Sequence, residues 1–173
     1  MNETINNIIT RRSVKKYKSD AVPQSLLEEI VKAGTYAPTG MNRQSPIIIA
    51  ITNKTLRDKL SQMNAKILGI NADPFYGAPV VLVVLADKNI NTRLYDGSLV
   101  MENLMIAAHS LGLGSCWIHR AKEEFESEEA KQILKELGIT GEYEGIGHCI
   151  VGYSDEDEKP QSERKADYVV WAK

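Results

Sequence analysis

The chain has 173 residues, of which 43% are hydrophobic and 25% are charged, and its formal net charge at pH 7 is −2. This length and composition are ordinary for a globular domain with a substantial core, so residues 1–173 are expected to form a single domain. The slightly acidic balance argues against a nucleic-acid binder, and no apolar run approaches the roughly 20 residues that a membrane-spanning helix needs.

Apolar spacing and turn-forming residues divide the chain into predicted helices and strands. In chain order these are helices at 2–10 and 23–34, a strand at 47–52, a helix at 55–68, a strand at 80–86, a helix at 95–111, a strand at 115–119, a helix at 127–137, and strands at 145–153 and 169–171. This order predicts an α+β fold in three layers, with helices covering a sheet.

Three of these elements, and the acidic run at 155–158, carry specific expectations. The strand at 80–86 has no polar residue, so both of its faces should be covered. The helix at 95–111 is apolar nearly all round, so it should be buried in a core or in an interface between subunits. The strand at Val169–Trp171 needs a partner strand, in this subunit or in another. The acidic run at 155–158 is predicted to be a solvated loop.

Five cations lie within eight residues, from Arg11 to Lys18, in a chain that is slightly acidic as a whole. Arginine presents a planar fork of donors that matches phosphate, and Ser13 adds a hydroxyl group and a backbone N–H. This basic segment, residues 11–18, is therefore a candidate for holding the phosphate of a small cofactor. A solvated basic turn is the alternative.

A second candidate is the segment at 37–46, which is rich in turn formers and carries the amides of Asn42 and Gln44. Amides donate and accept hydrogen bonds, so they suit a flat heterocycle that shows donors and acceptors along one edge. A surface turn in which the amides face water is the alternative interpretation.

The sequence lacks the patterns of an enzyme that works with its own side chains or with a metal. It contains no Gly-x-Gly-x-x-Gly opening a helix, no phosphate-binding P-loop and no Gly-x-Ser-x-Gly, and its three histidines lack metal-ligand spacing. His109, on an apolar helix, is interpreted as a packed and hydrogen-bonded residue. We therefore expect no metal site and no catalytic side chain, and any difficult chemistry would belong to a cofactor.

The expected location of the protein is the cytoplasm. Its two cysteines, Cys116 and Cys149, are too few for a disulfide scaffold in a chain of this size. The first four residues also lack the basic start and apolar stretch of a signal peptide.

Taken together, these segments make the chain similar to the nitroreductase family of flavin mononucleotide (FMN) enzymes. The resemblance rests on five segments that follow one another in the family's order: Arg11–Tyr17, Ala37–Gln44, Phe75–Pro79, Gly112–Ile118 and Arg164–Lys165. It implies a nitroreductase-like α+β fold with a central, mostly antiparallel sheet flanked by helices. It also implies an intertwined homodimer with each of two FMN molecules in the subunit interface.

The resemblance further implies which residues contact FMN. Those at its phosphate would be Arg11, Ser13 and Arg164, and Lys165 would also bind the cofactor. Those along its ribityl chain or ring would be Arg12, Lys15, Asn71 and the groups around Ser115 and Trp117. Those that reach the FMN held mainly by the other subunit would be Pro38, Thr39 and Asn42.

The implied activity is transfer of a hydride from NADH or NADPH, through FMN, to a small-molecule acceptor such as a nitroaromatic or a quinone, by a ping-pong mechanism. A reductase specialised for one metabolite and a flavin-binding store or sensor with little turnover are the alternatives. The chain is short and lacks room for the helical insertion that covers the substrate face in many relatives. His119 stands where many relatives have small residues, and it would touch substrate or pack at the dimer seam.

Overall fold

A four-stranded sheet forms the centre of the molecule in the computed structural model, which describes residues 1–157 and 160–172. The strands are β1 (Pro46–Ile51), β2 (Val80–Asp87), β3 (Gly114–Ile118) and β4 (Tyr143–Gly152). They lie in the order β1-β2-β4-β3, and each neighbouring pair is antiparallel. The predicted α+β fold with a mostly antiparallel central sheet is confirmed.

Six α-helices flank the sheet within the described residues: α1 (Glu3–Thr10), α2 (Gln24–Thr35), α3 (Lys54–Leu68), α4 (Arg93–Ser110), α5 (Ala121–Phe125) and α6 (Glu128–Glu136). Three of them begin with a side chain that accepts a hydrogen bond from an otherwise unpaired backbone N–H. The capping residues are Asn2, Asn53 and Ser127.

Strand β2 separates two hydrophobic cores, as its continuous apolar sequence predicts. Val81, Val83 and Leu85 face a core that includes side chains of α3, α5 and α6. Val80, Leu82 and Val84 face a second core built with α2 and α4. The three layers follow from this alternation, since successive side chains of a strand point to opposite faces of the sheet.

Two expectations from the sequence differ from the structure. The short helix α5 was not predicted, because five residues are too few to show a helical period. Residues Val169–Trp171 do not form a strand, and the predicted strand is wrong for the isolated chain. A strand needs a hydrogen-bonded neighbour, and Val170 is instead 89% exposed. Pairing of these residues with another subunit stays a prediction.

The long helix α4 has one buried face and one exposed apolar face. Val100, Met101 and Leu104 lie in the core. Tyr95 and Leu99 are exposed, at 73% and 43%. The predicted burial is therefore confirmed for half of the helix. No helix within residues 1–157 and 160–172 has both the length and the apolar character to cross a membrane.

Candidate cofactor site

The basic segment lies against the end of the sheet formed by β3 and β4. Ser13 forms a parallel bridge with Ser115, and the Val14 N–H donates to the Ser115 carbonyl at 3.0 Å. A few residues later Tyr17 forms an antiparallel bridge with Ser154, just after β4. The basic segment can approach β3 this closely because residue 114 is glycine: a Cβ at that position would lie 2.8 Å from Val14 Cγ2. The backbone of the cationic segment is therefore fixed by the sheet.

Several polar atoms of this region are buried and have no hydrogen-bond partner. They are Arg11 Nη1, Arg12 Nε and Ser115 Oγ. A buried donor without a partner costs roughly 1–3 kcal/mol, and more when it is charged, so such atoms usually have a ligand or water to bind. Two guanidinium groups and two serines form a donor set that fits a phosphate. The residues present therefore fit FMN at this position.

The structure gives Arg12 a local role that the sequence did not suggest. Its Nη1 donates to the carbonyls of Ile9 and Arg11, each at 2.8 Å, and so satisfies the C-terminal end of α1. By contrast, Nη1 of Arg11 is buried and has no hydrogen-bond partner. Arg11 is accordingly the better placed of the two arginines to meet an anion.

Lys15 is exposed and lies over the ring of Tyr76, with Nζ 5.8 Å from the ring centroid. Tyr76 belongs to the Phe75–Pro79 segment, so two of the five segments of the resemblance are in contact. A cation above an aromatic ring is held by the ring's electrostatic field, which limits the positions of Lys15.

The predicted solvated loop is confirmed for the described part of the acidic run, where Asp155 and Asp157 are exposed, but two of its side chains also contact the basic segment. Glu156 Oε1 accepts from the backbone N–H of Lys15 at 3.1 Å, and Asp155 pairs with Lys16 at 2.8 Å. This pairing raises the pKa of Lys16 and lowers that of Asp155. Asp155 and Glu156 therefore lie against the basic segment, while Glu158 lies outside the described residues.

Asn71 is exposed and lies at the start of the loop that carries Tyr76. Asp73 organises this loop by accepting four hydrogen bonds, from Ser61 Oγ, Arg57 Nη2 and the backbone N–H groups of Phe75 and Gly77. Burial pushes the pKa of Asp73 upward, but these four donors outweigh it, so the pKa lies below its ordinary value of 3.8. The charged form of Asp73 therefore stabilises the fold.

Replacing Asp73 with asparagine is expected to lower the free energy of unfolding by about 1–2 kcal/mol, because the amide cannot satisfy all four donors. Since the folded pKa is depressed, this contribution is present above about pH 4 and is lost as the pH falls through the folded pKa. Urea unfolding of both proteins at about pH 7 and about pH 3 should show the difference shrinking in acid. Asp58→Asn is the matched control, because Asp58 pairs with Arg57 but holds no loop backbone. A difference that persists undiminished at the lower pH would contradict this role.

The loop before β1 holds Pro38, Thr39 and Asn42 in a fixed conformation. Thr39 Oγ1 accepts from the Gln44 N–H at 3.0 Å, while Pro38 and Asn42 are exposed. Asn42 has a positive φ of 54°. The loop therefore presents Pro38 and Asn42 to the outside rather than to its own core.

Trp117, Arg164 and Lys165 differ in how closely the chain holds them. The Trp117 indole lies over Gly147, where a Cβ would come within 2.3 Å of Nε1. Arg164 and Lys165 are exposed, and Lys165 Nζ lies 3.9 Å from Asp167 Oδ1. Nearby, Gln161 Nε2 donates to the Ile9 carbonyl at 3.4 Å, which brings the C-terminal segment beside the start of the basic segment.

The single chain does not bring all the candidate residues together. Helix α4 separates two groups: its C-terminal part holds α1 through His109 Nε2 and Thr10 Oγ1, which lie 2.8 Å apart. Its first turn holds the loop before β1, through Asp96 and the Gly40 N–H at 2.9 Å. Residues 96 and 109 are thirteen positions apart, roughly 20 Å along a helix. The basic segment and the amide loop are thus half-sites at opposite ends of α4.

Sequence reasoning missed Asp96 and Glu156. Asp96 was passed over because an acidic residue in the first turn of a helix is ordinarily explained by the helix dipole. Among the described residues, no three His, Cys, Asp or Glu side chains are grouped to hold a metal ion. The contact with Thr10 confirms the interpretation of His109 as hydrogen-bonded.

A three-layer α+β fold whose sheet edge carries a fixed cationic segment with buried, unpaired donors is suited to hold a phosphate-bearing cofactor. The family model described as the nitroreductase family matches residues 8–68 and 62–153. The chain belongs to the nitroreductase family.

Solved structures agree with this assignment. A nitroreductase with bound FMN from Bacteroides fragilis has 26% identity and a TM-score of 0.89, with 100% of both chains covered. A nitroreductase with bound FMN from Desulfitobacterium hafniense has 27% identity and the same TM-score and coverage. The predicted nitroreductase-like fold is therefore confirmed.

The matches to curated relatives cover less of each chain than the matches to these structures do. An archaeal protein of Archaeoglobus fulgidus, named as an NADH dehydrogenase/NAD(P)H nitroreductase, is 30% identical over 142 residues, covering 79% of this chain and 76% of the relative. One of the same name from Methanothermobacter thermautotrophicus is 28% identical over 124 residues, covering 66% of this chain. The match spans only 60% of that relative's length.

Proposed function

We propose that this protein is an FMN-dependent oxidoreductase that takes a hydride from NADH or NADPH and passes it to a nitroaromatic, quinone or similar acceptor. The observation that carries the proposal is the set of buried, unpaired donors beside Ser13, namely Arg11 Nη1 and Ser115 Oγ. Family membership supports it, as do the FMN-bound neighbours and the relatives named NAD(P)H nitroreductase. Residues 1–173 would form one FMN-binding domain.

The roles of the chain's own residues follow from their charge and placement. Arg11, Ser13 and Arg164 would hold the phosphate with charge-assisted hydrogen bonds. Lys15, limited by the Tyr76 ring, would keep a positive charge at the pyrimidine edge, where it stabilises the negative charge that reduction adds. FMN, when bound, supplies the hydride chemistry at its N5. The protein would therefore contribute binding, orientation and electrostatics.

We also propose that the protein acts as a homodimer, because one chain holds two half-sites that do not meet. A two-fold axis across α4 would set two copies of this helix antiparallel, with the exposed Tyr95 and Leu99 buried between them. The first turn of one α4 would then lie near the C-terminal part of the other. This arrangement would bring Thr39 and Asn42 of one chain to the basic segment of its partner.

The C-terminal segment supports the same assembly. Val169, Val170 and Trp171 are exposed in the single chain, at 58%, 89% and 80%. Within the described residues β1 is paired only with β2, so its other edge carries free backbone groups. Cavities of about 290 and 580 Å³ lie beside this edge; the smaller is lined mainly by apolar residues, and the larger also by Gln24, Glu28 and Lys32. We propose that the segment embraces the partner subunit and buries its apolar residues there.

We further propose that the protein works in the cytoplasm. Cys116 and Cys149 are both buried and are not joined in a disulfide. Burial raises the pKa of Cys149, which keeps the thiol in its unreactive form.

The activity is tested by loading purified protein with FMN and screening acceptors with both NADH and NADPH. Oxidation of at least one nicotinamide, dependent on a nitroaromatic or quinone, is the expected result. Retention of FMN without turnover on any acceptor would favour a flavin store or sensor. Protein that stays colourless and takes up no added FMN would overturn the whole proposal.

A further inference from the structure

Asp96 is a buried carboxylate that has no role in the FMN site proposed above. It lies in the first turn of α4 and is 3% exposed. Its Oδ1 accepts from the Gly40 N–H at 2.9 Å, and its Oδ2 accepts from Ser45 Oγ at 3.1 Å and from Thr92 Oγ1 at 2.8 Å. Two of these three donors belong to the loop before β1, so the carboxylate joins that loop to the helix.

Gly40 brings the loop backbone against the first turn of α4. A Cβ at this position would lie 2.5 Å from Thr92 Oγ1 and 2.8 Å from Thr92 Cγ2. Only glycine permits this approach, and the approach is what allows the Gly40 N–H to reach Asp96. The close packing of Gly40 on Thr92 and the hydrogen bond from the Gly40 N–H to Asp96 therefore depend on each other.

The residues between the two tethers, Gly40 and Ser45, have an unfavourable backbone. Met41, Asn42 and Gln44 have positive φ values of 54°, 54° and 50°. A non-glycine residue in this region is held against a cost of order 1 kcal/mol or more, so the conformation persists only when surrounding contacts fix it. Asp96 supplies such contacts at both ends of the strained segment.

We infer that Asp96 is a positioning residue for the FMN site of the partner subunit. By holding Gly40 and Ser45, its carboxylate fixes the loop in the geometry from which Thr39 and Asn42 reach the partner's flavin. The residue touches neither FMN nor substrate, and it acts through the loop alone. The inference rests on the proposed function, since the loop has this task only if FMN binds between two subunits.

The first test compares FMN affinity of three variants by titration of apoprotein. Asp96→Ala should weaken FMN binding roughly 10- to 100-fold, and Ser45→Ala by a smaller factor, because charged hydrogen bonds that fix the loop are lost. Thr92→Val is the matched control: it removes the bond to Asp96 from the helix side, keeps the shape beside Gly40, and should leave affinity within about twofold. Unchanged affinity in both Asp96→Ala and Ser45→Ala would overturn the inference.

Gly40→Ala keeps the inference testable if Asp96→Ala does not fold. The added methyl group displaces the loop from Thr92 while the carboxylate stays in place, so FMN affinity should again fall. Wild-type protein that binds no FMN would instead remove the proposed function itself. If the wild-type protein binds FMN and the variants bind it equally well, the role of Asp96 is refuted but the proposed function is not.

Mixed dimers separate positioning across the interface from general destabilisation. A chain carrying Asp96→Ala is mixed with a chain carrying Arg11→Ala, and FMN binding to the mixture is titrated. If Asp96 serves the partner's site, one site of each mixed dimer has an intact basic segment and an intact loop, so it should bind with wild-type affinity. If no tight site returns, Asp96 acts within its own chain, and the inference is wrong.

Discussion

Replacement of Arg11 by alanine is expected to weaken FMN binding by about 1.5–3 kcal/mol, which is roughly 10- to 100-fold in the dissociation constant. Arg11 Nη1 is buried without a partner, next to the backbone that Ser13 and Ser115 hold together. Within the chain, this atom therefore has no hydrogen bond that could replace the one made with phosphate.

Lys18→Ala is the matched control for this prediction. It removes the same charge from the same segment, but Lys18 is exposed and only its backbone N–H is held, by the Tyr153 carbonyl. Equilibrium titration of FMN into both apoproteins, at low and at moderate salt, separates a specific contact from a general loss of positive charge. Equal affinities of Arg11→Ala and wild type would refute the phosphate role of Arg11.

Deletion of residues 166–173 is expected to weaken the dimer and, with it, FMN retention. The exposed Val169, Val170 and Trp171 would bury a large apolar area on the partner, and burial is worth roughly 25 cal/mol per Å². Sedimentation of the truncated protein over a range of concentrations should show dissociation where the full chain stays dimeric. FMN should be lost in parallel, because each site would need two chains.

A full-length control separates this effect from loss of chain length. The variant in which Val169, Val170 and Trp171 are all replaced by serine keeps every residue position but removes the apolar side chains. It should dissociate nearly as readily as the truncated protein. A truncated protein that remains a dimer of normal affinity would contradict the proposal that the C-terminal segment packs on the partner subunit.

The fold was predictable wherever one residue pattern determined one structure. The apolar run of β2 permitted only a strand covered on both faces, and the structure places a core on each side. Helix α5 was missed because its five residues show no period. Val169–Trp171 was misassigned because strand propensity is local, whereas a strand partner is a property of the whole assembly.

The charged residues of the site were predictable from the sequence, whereas the hydrogen bonds that hold its segments together were less so. The density of cations from Arg11 to Lys18 indicated an anion, and the structure leaves a buried guanidinium donor there. The contact of Glu156 with Lys15 joins residues 141 positions apart, a separation at which one sequence carries no signal. The anchoring of the amide loop by Asp96 is likewise a long-range contact, over 56 positions to Gly40.

The most direct test of the central claim is to reduce and reoxidise the FMN-loaded protein in the absence of oxygen. NADH or NADPH is added while the yellow flavin absorbance is followed, and a quinone is then added to the same sample. The account predicts that at least one nicotinamide bleaches the flavin and that the quinone restores its colour. Protein that binds FMN but is bleached by neither nicotinamide, or that retains no FMN at all, would contradict it.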